Sequence, residues 1–336
     1  MVRVRIARRA QPSSLDPAEL AAQIRRATGA DAVRLGERLQ ALWGGYGELW
    51  RAELTQGART TPVVVKSVRP PRDDASTSHR RKLRSYAVEQ AFYELYSARA
   101  LQPPAWRVAA PIALRGEHDS WLFVLEDLDA SGFSARRGYP QAPDIAATLR
   151  WLAAFHARFL GAAPERLWKV GTYWQLGTRP DELRAMRHAE LRAAAPRIDA
   201  RLNAARFKTF VHGDAKLENV CFDQRGEVAL VDFQYVGGGV GVKDVAYLLN
   251  GCLGPRECEA LLPGYLDDYF RELQAALRAV GSDANLDELE REWRALFPLA
   301  WVDFYRFLLG WAPGQFDRDP YSERLTRQVL AQLEPA

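Results

Sequence analysis

The chain is expected to fold as an α+β protein in two lobes, a small antiparallel sheet followed by a larger, mostly helical body. Three observations predict this. Alternation of apolar and polar residues, the period of strands, dominates from Ala32 to Leu125, with one long helix interposed. From about Pro143 the apolar residues recur at helical spacing instead. Inside that helical half lies one island of strand character, residues 209–236, TFVHGDAKLENVCFDQRGEVALVDFQYV. The expected boundaries are residues 1–125 for the sheet lobe, 126–132 for the connection and 133–336 for the helical lobe.

A chain of 336 residues is long enough for two cores, and 48% hydrophobic with 26% charged residues is ordinary for a soluble protein. The net charge of +4 is small and the basic residues are scattered, which argues against nucleic acid as a partner. Lysine is scarce (Lys66, Lys82, Lys169, Lys208, Lys216 and Lys243), so each one stands out. Cys221, Cys252 and Cys258 are odd in number and lack C-x-x-C spacing, so no closed disulfide framework is implied and a reducing cytoplasm fits. The start, MVRVRIARRAQPSS, is basic without the apolar core of a signal peptide. No run of ~18 apolar residues is present to span a membrane. Nothing in the pattern calls for an obligate protein partner.

Taken in order, LDPAELAAQIRRAT (15–28) is a short helix with Asp16 as its N-cap and Pro17 in the first turn. Residues 32–69 supply three strands, the first two joined by a turn holding Gly44, Gly45 and Gly47. Such a turn lets backbone N–H groups approach a phosphate. Lys66 sits in the apolar strand Val-Val-Val-Lys and must find a partner there. PPRDDASTS (70–78) predicts a mobile surface loop. The helix after it, about His79 to Ala100, puts Tyr86, Glu89, Phe92, Tyr93 and Tyr96 on one broad face, so Glu89 is the natural partner for Lys66. Pro103-Pro104 ends that region, and VAAPIAL and WLFVLEDL complete a five-stranded sheet.

In the second lobe, residues 143–160 form an amphipathic helix in which His156 reads as a packed core histidine. Residues 165–205 read as a pair of helices. Val220–Phe222 and Val228–Val231 flank the turn Asp-Gln-Arg-Gly and form a hairpin. Such a hairpin brings Asn219 and Asp232 side by side at its open end, roughly 5 Å apart between backbones. Asp214 lies five residues before Asn219. An Asp, Asn and Asp cluster offers the oxygen ligands that a hard cation such as Mg²⁺ takes, with a carboxylate to spare for a proton.

The motif HGDAKLEN followed by a hairpin and Val-Asp-Phe-Gln resembles the catalytic core of protein-kinase-like phosphotransferases. Its HGD and D-F-Q form is similar to the small-molecule branch, the aminoglycoside phosphotransferase and choline kinase superfamily. Within that branch it is most similar to the ecdysteroid-kinase-like group, with which E-x-x-F-Y around Glu89 and GWAPGQF at 310–316 also agree. The resemblance implies a bilobal protein-kinase-like fold and transfer of the ATP γ-phosphoryl group to a hydroxyl of a small molecule. It implies Asp214 as base in a catalytic loop 212–219, and Asn219 and Asp232 as Mg²⁺ ligands on hairpin 219–232. Lys66, held by Glu89, would grip the α and β phosphates, under the turn of Gly44, Gly45 and Gly47. The hinge, Leu125, Glu126 and Leu128, would meet the adenine through its backbone. Lys216 either neutralises γ-phosphate charge or pairs with a neighbouring carboxylate. Asp244 either caps a helix or braces the catalytic loop, and His212 supports that loop.

YVGGGVGVKD after the hairpin resembles a shortened activation segment. The C-terminal third is helical, and in these families such helices wall the acceptor pocket. Trp301, Asp303, Tyr305 and Trp311 are the candidate lining residues, an acid and aromatic mixture that suits a cationic acceptor. Protein phosphorylation and an inactive nucleotide-binding module are the alternative readings. The first lacks an A-P-E motif, and the second conflicts with the presence of Lys66, Asp214, Asn219 and Asp232 together.

Overall fold

The computed structural model describes residues 16–71, 76–102 and 106–333. The basic start, residues 72–75 of the 70–78 loop and Pro103-Pro104 therefore lie outside the described residues. The chain divides into two compact units, Met1–Ser97 with Ala109–Gly132, and Ala98–Val108 with Phe133–Ala336.

In the first unit, α1 (Pro17–Thr28) starts where the Asp16 carboxylate accepts the Ala18 N–H at 3.0 Å and stops at Gly29 in the left-handed region. Its Leu20 and Ile24 are fully buried against one face of a sheet. That sheet has five strands, β1 (Ala32–Ala41), β2 (Gly47–Gln56), β3 (Arg59–Val68), β4 (Pro111–Glu117) and β5 (Ser120–Glu126), in the order β1-β2-β3-β5-β4. Every neighbouring pair is antiparallel. Strand parity does the sorting: Val63, Val65 and Val124 join the core with α1, so Lys66 and Phe123, paired across the ladder, point to the other face. There α2 (Thr77–Leu95) buries Tyr86, Glu89, Phe92 and Tyr93. The helix is shorter than expected, because the backbone leaves helical geometry at Tyr96 and continues as a 3₁₀ turn, Ser97–Leu101.

The second unit is built on α3 (Ala142–Arg158), α4 (Pro180–Ala185), α5 (Ala189–Asn203), α6 (Val242–Cys252), α7 (Pro255–Ala279), α8 (Leu286–Trp311) and α9 (Pro320–Leu333). Ala98–Val108 joins it because Trp106, fully buried, packs edge-on against Trp151, Phe155 and Phe159 of the α3 region. Two short antiparallel ladders are set among the helices, β6 (Thr209–Val211) with β9 (Gly237–Gly239), and β7 (Val220–Phe222) with β8 (Val228–Leu230). The glycine run expected to form a loop after the hairpin is thus partly a strand. Among the described residues no helix is long and apolar enough to cross a membrane.

Candidate active site

In the first unit, Lys66 Nζ lies 2.7 and 3.0 Å from the two carboxylate oxygens of Glu89, with both side chains buried. The Tyr86 and Phe123 rings flank the ammonium at 5.6 and 5.9 Å. Glu94, the other acid near the end of α2, is exposed and accepts from the Gln90 amide. The Gly44-Gly45 turn closes on itself, with the Gly45 N–H donating to the Leu42 carbonyl at 3.1 Å.

At the end of β5 the carboxylate of Glu126 accepts the Ala110 N–H at 3.0 Å and the Ser131 hydroxyl at 2.6 Å. Asp127 accepts the Asp129 N–H at 2.9 Å and binds Arg51, which also reaches Asp129 and Glu37. Burial opposes the Arg51 charge, but these three acids outweigh it and raise its pKa. Both connection carboxylates are therefore committed to shaping their own segment. Leu125 and Leu128 are buried beside them.

In the second unit, the hairpin register pairs Val220 with Leu230, and the Val231 N–H donates to the Asn219 carbonyl at 3.0 Å. That bond draws Asp232 to the level of Asn219. Asp232 takes φ 69, a left-handed conformation that costs on the order of 1–3 kcal/mol outside glycine and tends to mark functional positions. Asn219 donates from Nδ2 to the Asp214 carbonyl at 2.8 Å and to Asp214 Oδ2 at 3.0 Å, and its Oδ1 meets no donor among the described residues. Lys216 Nζ stands 3.3 Å from Asp214 Oδ2, and the Tyr247 hydroxyl donates to Oδ1 at 2.9 Å.

Burial pushes the Asp214 carboxyl up to about 6, and the charge of Asp232 adds to this, while Lys216 and the Tyr247 hydrogen bond oppose it. At Lys216 burial disfavours the charge, but Asp214 and Asp232 outweigh it and raise its pKa. His212 is pushed down, chiefly by burial, and so stays neutral: its Nδ1 accepts the Asp214 N–H and its Nε2 donates to the Val231 carbonyl.

The loop carrying Asp214 is fixed from below. Asp244, fully buried on α6, accepts the His212 N–H at 2.6 Å and the Gly213 N–H at 2.9 Å. The first helical turn contains Asp244 rather than being capped by it. His156 lies between Asp244 (3.1 Å) and the Tyr269 hydroxyl (2.7 Å), the packed role its helix face predicts. Gly213 is required as glycine: at φ 80, a Cβ there would stand 2.3 Å from the Tyr235 carbonyl oxygen and 2.7 Å from the Thr172 nitrogen.

Sequence reasoning missed Tyr247 and the segment Thr172–Trp174. The signal for Tyr247 was present, since it lies three residues after Asp244 and shares its helix face. Trp174, fully buried, rests on Tyr247 at 4.9 Å between ring centroids, and the Tyr173 N–H donates to the Gly213 carbonyl at 3.1 Å.

The expected acceptor wall is corrected. Trp301 is buried, with its indole on Ser322 at 2.8 Å and its ring on Tyr321, and the Tyr305 hydroxyl donates to the Phe316 carbonyl. Both serve packing of α8 against α9 and the turn before it. Asp303 is fully buried and neutralised by Arg306 (2.8 Å) and Lys243 (3.6 Å), with the Trp174 indole as a further donor. Only Trp311 of the four is exposed, at 44%.

The profile of the phosphotransferase enzyme family (APH) matches residues 38–280. Among solved structures, the macrolide 2′-phosphotransferase MphH of Brachybacterium faecium is similar at 15% identity and a TM-score of 0.49, over 95% of this chain and 98% of that one. An aminoglycoside phosphotransferase APH(4)-Ia in ternary complex with ADP and hygromycin B matches at 12% identity and 0.48, over 95% and 100%. The choline kinase LicA of Streptococcus pneumoniae matches at 11% and 0.42, over 89% and 94%. No curated protein sequence matches the chain.

Proposed function

The chain belongs to the phosphotransferase enzyme family and has a protein-kinase-like fold, and on that premise we propose that it moves the γ-phosphoryl group of ATP to a hydroxyl of a small molecule. The observation that carries this reading is the arrangement around Asp214. Its carboxylate is oriented by Tyr247 and Asn219 and is poised near neutrality, as a base that must take a proton from an alcohol requires. Asp214 would accept the acceptor hydroxyl's hydrogen bond and then its proton as the new P–O bond forms. Lys216 beside it would offset charge on the transferred group. Lys66, held by Glu89, would bind the α and β phosphates.

The donor set fits Mg²⁺. Among the described residues no three His, Cys, Asp or Glu side chains converge on a metal-sized centre. The free Asn219 Oδ1 and the neighbouring Asp232 suit an ion that keeps water and phosphate oxygens as its other ligands. Bound there, Mg²⁺ supplies neutralisation of phosphate charge. A cytoplasmic setting is part of the same proposal, resting on three cysteines without C-x-x-C spacing.

Acceptor-dependent ADP release from Mg-ATP, screened over alcohols and antibiotics, tests the reading; its failure with every acceptor removes it. Lys66→Met is expected to lower kcat/KM for ATP by on the order of tenfold to a hundredfold, the worth of one charge-assisted phosphate contact. The pH profile gives a second check. With a base near 6, kcat/KM should fall as pH drops below about 6. The Tyr247 hydrogen bond favours the charged carboxylate, so Tyr247→Phe should move this acid limb to higher pH. A limb that stays in place or moves down separates Tyr247 from the base.

A further inference from the structure

Helix α8 reaches the loop of Asp214 through a short turn, Thr172–Trp174. At one end of that turn Trp174, fully buried, donates its indole N–H to Asp303 Oδ2 at 3.1 Å. The Trp174 carbonyl accepts from Arg306 Nη2 at 3.0 Å. The same guanidinium lies on Asp303 Oδ1, 3.0 Å from Nε and 2.8 Å from Nη2. Asp303 and Arg306 are three residues apart on α8 and so are neighbours on one face. One pair of opposite charges therefore grips both the side chain and the main chain of a single residue. Lys243, the chain neighbour of Asp244 on α6, stands 3.6 Å from the same carboxylate.

At its other end the turn meets the catalytic loop twice. Through the main chain, the Tyr173 N–H donates to the Gly213 carbonyl at 3.1 Å, and the Thr172 N–H donates to the Tyr235 carbonyl at 3.1 Å. Through the side chain, the Trp174 ring lies on Tyr247 at 4.9 Å. Phe304, beside Asp303 on α8, meets the Tyr247 ring at 4.8 Å, and Tyr173 meets it at 5.6 Å. Three rings thus fix the plane of Tyr247, whose hydroxyl donates to Asp214 Oδ1 at 2.9 Å. Thr172 is β-branched and yet sits at φ 93, a conformation kept only where the surroundings over-determine it.

Stability alone is a poor reason for charges in this place. A buried ion pair adds little over apolar side chains of the same volume. What it adds is direction, because each of its hydrogen bonds has a set length and angle. We propose that Asp303 and Arg306 are positioning residues for the base, and that their catalytic consequence rests on the phosphotransferase reading of the site. They fix Trp174, and Trp174 fixes the ring of Tyr247 and, through its own turn, the Gly213 carbonyl. Neither charged residue touches Asp214; α8 aims it through Trp174.

A matched pair of variants tests this. Trp174→Phe keeps a ring and removes the indole N–H. Trp301→Phe removes an equivalent bond, to Ser322 at 2.8 Å, from the side of α8 that meets α9. Hydrogen exchange of the full chain is read on peptides 209–219 and 142–158. In Trp174→Phe the 209–219 peptide should exchange about tenfold faster, as loss of a hydrogen bond to a charged group allows. Trp301→Phe should leave it unchanged, and the 142–158 peptide should stay constant in both. Arg306→Lys keeps the charge beside Asp303 but lacks the fork that reaches Trp174, so it should loosen 209–219 as well, and it decides the matter where Trp174→Phe folds poorly. In turnover, Trp174→Phe should lower kcat about tenfold with KM for ATP unchanged, the pattern of a misaimed base. Unchanged exchange of 209–219, or an equal change in Trp301→Phe, overturns the anchor. A loosened loop in the variants with no ADP release from the wild type sustains the anchor and removes the phosphotransferase reading. ADP release with an equal kcat in Trp174→Phe keeps that reading and overturns the positioning role.

Discussion

Replacing Asp214 with Asn is expected to cut kcat by about 10²–10⁴-fold while nucleotide still binds. The amide has the shape of the carboxylate, so the contacts with Tyr247 and Asn219 can be largely kept. What is lost is the capacity to take a proton, a contribution of about 3–5 kcal/mol to the barrier at that range of rates. Lys66 and Glu89 belong to the first unit and make their pair independently of this change. ADP release measures the first half of the expectation, and titration with a fluorescent ATP analogue measures the second. A variant that keeps a tenth or more of the wild-type turnover would show that the proton goes elsewhere.

The second large effect concerns stability. Asp303→Ala would leave Lys243 and Arg306, each 2% exposed, without the carboxylate between them. Breaking a buried pair in this way costs about 3–5 kcal/mol, because an uncompensated charge remains in a medium that solvates it poorly. In a lobe of this size that corresponds to a melting temperature lower by about 10 °C. Asp199 already signals how crowded with charge this core is: its pKa is raised, first by burial and then by Asp303. Asp303→Asn should be milder than the alanine variant, since its amide oxygen still accepts the Trp174 indole N–H. Calorimetry on the three proteins decides it, and a melting point within 2 °C of wild type for Asp303→Ala would refute the account.

The parts of the fold legible in the sequence are those in which local chemistry and distant contact agree. A lone lysine in the apolar strand Val-Val-Val-Lys called for a partner, and helical spacing put Glu89 on the aromatic face where the structure has it meet Lys66. β-formers around Asp-Gln-Arg-Gly gave the hairpin, and the hairpin gave the neighbourhood of Asn219 and Asp232. Helix α8 shows the limit. Its aromatic residues declare buried faces, but periodicity cannot say which neighbour each face meets, and Trp301 and Tyr305 turn toward α9. The run Gly237–Gly239 was illegible for another reason: glycine has no strand preference, and its place in β9 follows from the close pass of Trp168.

Under the proposed ATP reading, the committed carboxylates at the end of β5 would bear on how one purine is told from another. With Glu126 spent on Ala110 and Ser131, and Asp127 on Asp129 and Arg51, neither acid is spare to read an exocyclic amine or keto group. Any preference for adenine over guanine would then be written in the direction of main-chain amides and carbonyls. Such a preference should survive most side-chain exchanges along that stretch and yield to a proline or a one-residue insertion, which redirects the peptide planes themselves.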